Sequence, residues 1–101
     1  MEVRDIFALR KEGRIEEAYN LIRERYRNYH GYHTTLCMFW CASDMLQLYL
    51  ERGNTDEALR ILRALEHILP TMPDDEVIGK QMLRLRKMCA EHIQNGEKQQ
   101  K

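Results

Sequence analysis

The chain has 101 residues, of which 44% are apolar and 32% charged, with only two prolines and five glycines. Such a length suits one domain that buries roughly two-thirds of its unfolded surface, and abundant Leu, Glu, Arg, Ala and Met favour helix, which sets disorder and loop-dominated folds aside. Sixteen basic residues balance sixteen acidic ones, so no global field draws the chain to nucleic acid or anionic lipid, and no apolar run approaches the roughly 20 residues of a membrane span.

The opening Met1-Glu2-Val3-Arg4-Asp5 places no apolar core behind a basic start, so the expected location is cytoplasmic. Cys37, Cys41 and Cys89 are then expected to stay reduced. A first helix is expected over about residues 2 to 12, with Val3, Ile6, Phe7 and Leu9 facing inward. Gly13 ends it, because a glycine just past a helix takes the left-handed backbone that a side chain penalises. Between residues 14 and 29, Ile15, Ala18, Tyr19, Ile22, Tyr26 and Tyr29 follow the i, i+3, i+4, i+7 spacing of a helix with one buried stripe.

Beyond Gly31 the run from Leu36 to Ala42 is apolar on every side of a helix. Such a helix is buried on more than one face, which predicts a central element running to about Glu51. Gly53 ends it as Gly13 ends the first. Asn54 stands at the next N-cap with Glu57 as its capping-box partner. Arg14 holds that position in the earlier turn, which is therefore expected to be the weaker. A further stripe through Ala58, Leu59, Ile61, Leu62, Leu65, Ile68 and Leu69 runs to Pro70. The last helix, about residues 74 to 94, follows Pro73 with Asp74 and Asp75 in its first turn and Ile78, Met82, Leu85 and Cys89 inward. Residues 1–95 read as one domain and 96–101 as a polar, disordered tail. The fold class is all-α, with about five helices arranged as two antiparallel hairpins and a C-terminal capping helix.

One word occurs twice: Gly13-Arg14-Ile15-Glu16-Glu17-Ala18 matches Gly53-Asn54-Thr55-Asp56-Glu57-Ala58. The likeness extends through Leu9 with Tyr49, Leu21 with Ile61, Ile22 with Leu62, and Arg23 with Arg63. Ala18 and Ala58 supply small side chains where antiparallel helices can approach closely. In the second copy Tyr49, Gly53, Ala58, Leu62 and Pro70 stand in the register of a tetratricopeptide repeat, which this chain resembles over roughly residues 2 to 92. The departures are Leu46 where that family has glycine, Ala42 where it has tryptophan, and copies offset by 40 residues instead of about 34. The extra length falls around Arg27 to His33 and is expected to lengthen a helix or its loop.

The resemblance implies recognition of a protein or peptide through the first helix of each hairpin. The corresponding positions are Phe7, Arg10, Lys11, Trp40, Ser43, Asp44, Gln47, Glu51, Gln81 and Arg84. A clamp for a terminal carboxylate, known in the family, does not carry over, because its positions here hold Val3, Phe7, Ser43 and Gln47. Trp40 is both the preferred anchor, since tryptophan is enriched among interface hot spots, and a candidate core filler. Two hairpins and a cap are few for a stable array, so a homodimer would supply the missing stacking surface.

Three other chemistries are weighed against this reading. His33, Cys37 and Cys41 share one helix face at successive i+4 steps, as soft-metal ligands could, but ordinary core packing of cysteine outweighs them, and no metal or cofactor is expected. The segment from Arg23 to His33 interleaves cations and aromatics as single-strand nucleic-acid sites do; nucleic-acid association is the alternative function. No phosphate-cradling glycine loop, G-x-S-x-G elbow or H-E-x-x-H occurs, so the chain is not expected to be an enzyme.

Overall fold

The computed structural model describes the backbone of residues 1–99 and the side chains of residues 1–95. Five α-helices follow one another: α1 (Val3–Lys11), α2 (Ile15–Tyr26), α3 (Tyr32–Glu51), α4 (Thr55–Ile68) and α5 (Glu76–Gln99), with a 3₁₀ turn at Leu69–Thr71 between the last two. No strand occurs among the described residues, and the fold is all-α. Of the expected tail, the backbone is helical as far as Gln99, and Gln100 and Lys101 lie outside the described residues.

The turns after α1 and α3 are built alike. Gly13 and Gly53 have φ of 82° and 77°, the left-handed region that only glycine enters without strain. In the first turn the Gly13 and Arg14 amides donate to the carbonyls of Arg10 and Leu9; in the second, Gly53 and Asn54 donate to Leu50 and Tyr49. These are paired Schellman bonds, which satisfy the last carbonyls of each helix. One expectation is corrected here. The Asn54 side chain makes no capping hydrogen bond, and neither does Arg14. Each residue both closes one helix and opens the next, and its backbone, near φ −88° and ψ 68° at Asn54, leaves the extended region from which an N-cap side chain reaches forward. The two turns therefore share one geometry, and no side-chain cap sets the second apart from the first.

α2 stops at Tyr26, so Tyr29 falls in the loop and is 61% exposed, not on the buried stripe where its spacing placed it. The residues added between the copies make that loop and also extend α3, which starts at Tyr32, a turn before Leu36. α3 packs against all four other helices. Its buried residues cover almost its whole circumference, among them Cys37, Phe39, Cys41, Ala42, Met45, Leu46 and Leu50, and burial of such side chains contributes roughly 1.5–3 kcal/mol each before entropy is subtracted. At the start of α5 the Asp75 carboxylate accepts hydrogen bonds from the amides of Val77 (2.8 Å) and Ile78 (3.3 Å), satisfying donors that have no partner inside the helix.

Odd-numbered helices lie side by side, α1 on α3 and α3 on α5, while α2 packs on α1 and α3, and α4 on α3 and α5. α2 and α4 do not approach each other closely. A groove lined by Tyr19, Arg23, Met38, Tyr49, Glu57, Arg60, Ile61 and Ala64 separates them. Ala18 and Ala58, equivalent in the two copies, are both fully buried.

Candidate interaction surface

The face made by α1, α3 and α5 holds the sequence-derived positions. Four neighbours cover most of α3, and Leu36, Trp40, Asp44, Gln47 and Glu51 form a part-exposed stripe on this face, apart from Tyr49, which opens to the groove on the far side. Asp44 is the sole charged residue between Thr34 and Leu50, and it meets Arg10 of α1. The guanidinium engages both carboxylate oxygens, Nε to Oδ2 and Nη2 to Oδ1, the second at 3.3 Å. Such a two-pronged pair fixes geometry as well as contributing energy. The same guanidinium carbon stands 5.4 Å from the centre of the Trp40 ring, within the range of a cation–π contact. Phe39 meets Trp40 edge-on from the core side, with centroids 5.2 Å apart and planes at 87°. Trp40 is half-buried, neither closed within the core nor fully exposed. Its ring packs inward and still meets solvent.

Ser43 does not reach the surface. It is fully buried, and its hydroxyl accepts a hydrogen bond from the Gln81 side chain of α5. It ties α5 to α3 and is closed to a partner. Gln81 is correspondingly half-buried, whereas Lys11, Glu51 and Arg84 are exposed and Phe7, Arg10 and Gln47 are partly so. A shallow depression of about 110 Å³ lies beside this row, lined by Ile15, Asp44, Gln47, Leu48 and Glu51. The contacts of Arg10 with Asp44 and of Ser43 with Gln81 were absent from the sequence reading. The first had a signal, since a lone carboxylate in the otherwise uncharged stretch from Thr34 to Leu50 needs a cation nearby.

The Arg/Tyr segment gathers at the other end of α3. Tyr29 and Tyr32 are exposed, and the Arg25 guanidinium lies 5.4 Å from the Tyr29 ring centre while donating to the Met1 carbonyl. Tyr26 is half-buried, and its ring meets His30 edge-on at 4.5 Å. His33 is exposed and lines a depression with Glu2, Val3, Arg4, Phe7 and Arg25. It stands apart from the cysteines as a ligand: among the described residues no group of three or more His, Cys, Asp or Glu side chains is placed to hold a metal ion.

The cysteines are all reduced and buried. Cys37 and Cys41 face each other with Sγ atoms 3.9 Å apart. The hydrogen bond from Cys41 holds the Cys37 thiol below its ordinary range, helped by Arg10 and Arg25 against the effect of burial, while the same bond and burial push Cys41 up. Burial alone raises Cys89. On the opposite face, burial raises the Tyr19 phenol even though Arg23 stands 5.3 Å over its ring. No described helix is long and apolar enough to cross a membrane. Comparison with known protein families, curated proteins and solved structures finds no match for the chain.

Proposed function

We propose that the chain is a non-catalytic, cytoplasmic interaction module of tetratricopeptide-like type, which binds a protein segment across the α1–α3–α5 face or stacks on a second copy. The observation that carries this reading is the fixed presentation of Trp40. Phe39 holds the ring from beneath, Arg10 covers one face of it, and Asp44 locks Arg10 in place. An aromatic side chain that is already ordered loses little entropy when a partner closes over it, and tryptophan and arginine together are the residue types that dominate binding hot spots. Phe7, Gln47, Gln81 and Arg84 give this anchor a mixed apolar and polar margin, as interfaces have. The duplicated turns and the layered order of the helices support the family resemblance.

The test is affinity capture from a cytosolic extract with the native chain, with Trp40→Ala, and with Arg60→Glu in the groove on the far side. Loss of the captured protein in Trp40→Ala alone, with helix content intact by circular dichroism, is the expected result. Equal capture by all three sinks the assignment. Light scattering behind size-exclusion chromatography reads self-association in the same samples.

A second reading rests on Tyr29 and Tyr32, whose exposure leaves two aromatic faces free among Arg4, Arg25, Arg27 and His33. Stacking of bases on such faces contributes roughly 1–3 kcal/mol per base. Under this reading short single-stranded RNA binds in a salt-dependent manner, and Tyr29→Ala with Tyr32→Ala weakens it. Failure to shift in anisotropy even at low salt removes it.

A further inference from the structure

Cys37 and Cys41 lie one turn apart on α3, both fully buried, with their sulfurs 3.9 Å from each other. A disulfide is the wrong product for this pair. Cβ atoms at i and i+4 of a helix stand roughly 5–6 Å apart, whereas a disulfide requires roughly 3.5–4.5 Å, so closing the bond would break a helix that the whole fold packs against. A single ion held between the sulfurs meets no such obstacle. With metal–thiolate bonds of roughly 2.3 Å, two sulfurs flanking one ion in line stand roughly 4.6 Å apart. That is about 0.7 Å wider than here, a change that small side-chain rotations supply.

The surroundings select the kind of ion. Among the described residues no cluster of three His, Cys, Asp or Glu side chains exists, so the four ligands of structural zinc are not provided. Two thiolates in a site closed to water suit a soft cation satisfied by two ligands, and Cu(I) is that class of ion. Two thiolates and one monovalent cation carry a net negative charge, and positive charge stands close by on two other helices. Arg10 of α1 and Arg25 of α2 both lower the Cys37 thiol, but Arg10 is already paired with Asp44, whose carboxylate pushes Cys41 up, so Arg25 is the cation left to answer that charge. The Arg25 Nε atom is moreover buried without a hydrogen-bond partner among the described residues, a donor left in a place where leaving one unmet is costly.

We propose that Cys37 and Cys41 form a two-coordinate site for Cu(I), with Arg25 balancing the charge of the bis-thiolate complex. Binding forms two copper–sulfur bonds and releases the two thiol protons, and copper and sulfur keep their oxidation states. Entry of the ion would require local opening at α1, which packs on only two helices and buries Ile6 and Leu9.

The reduced full-length chain is titrated with Cu(I) under anaerobic conditions against a colorimetric Cu(I) chelator. One ion per chain is expected, with an ultraviolet sulfur-to-copper band. Cys37→Ser and Cys41→Ser each weaken retention by more than about a hundredfold, beyond the effect of losing a supporting group around a metal site, and Cys89→Ser retains the ion as the native chain does. Copper X-ray absorption on the native protein, which depends on no variant folding, shows two sulfur neighbours. Loss of all copper to the chelator, equal loss in Cys89→Ser, or a shell containing nitrogen or a third sulfur each overturns the site.

Discussion

The first hairpin, α1 and α2, and the second, α3 and α4, share a turn and the buried alanine that follows it, but their first helices differ. Both turns place glycine at positive φ and close with the same pair of backbone bonds. Yet α1 spans nine residues and buries Ile6 and Leu9, whereas α3 spans twenty and is buried around most of its surface. The repeated word thus encodes a change of direction, and the stability of each hairpin is set by how many neighbours its first helix meets. α3 meets all four other helices, whereas α1 meets only α2 and α3.

The sharpest way to break this contrast is to excavate both hairpins. Phe39→Ala in α3 should cost about 3–5 kcal/mol in denaturant unfolding, while Ile6→Ala in α1 should cost less than half of that, because α1 packs on only two helices and can detach locally. Equal losses would show that α1 is as integral as α3. The turns come next. Nothing lies within 4 Å of a Cβ built on Gly13 or Gly53, so Gly13→Ala and Gly53→Ala should each cost only the backbone penalty, about 1–2 kcal/mol. Unequal values, measured in the same way, would mean that the two turns differ after all.

Capping gives the smaller effects. Asp75→Ala removes an observed cap and should lower stability by about 1 kcal/mol. Asn54→Ala removes no side-chain cap and should stay within about 0.5 kcal/mol. A loss at Asn54 as large as at Asp75 would restore the capping box that the sequence suggested. Of the same small order, a double-mutant cycle on Arg10 and Asp44 should return a coupling of about 0.5–1 kcal/mol, since both side chains keep partial contact with water. A coupling near zero would leave Trp40 without a fixed cover.

Much of the architecture was legible in the sequence because helix period, glycine stops and the proline before α5 are local properties. The stripes through α2, α4 and α5 needed no knowledge of what they pack against. Tyr29 shows the limit of such reading: its spacing fits the stripe, but the helix ends three residues earlier, and period alone carries no information about where hydrogen bonding stops. Asn54 failed for a related reason, because a residue serving two helices at once takes its backbone from the Schellman turn and not from its own capping preference.

The candidate surface was legible by position and not by availability. Resemblance placed Ser43 and Trp40 on one face, but whether a residue on that face is open depends on the helix beside it, and α5 closes over Ser43 while leaving Trp40 half exposed. Sequence alone determined the number of helices, the two reversals and the central, enveloped character of α3, since each follows from side-chain type at short spacing. Only the tertiary structure decided that Arg10 meets Asp44 across 34 positions, that Gln81 closes over Ser43, and that an arginine donor of α2 stays unspent near the thiols of α3. Those pairings join groups far apart in the chain, and their energies exist only once the packing of whole helices has brought them together.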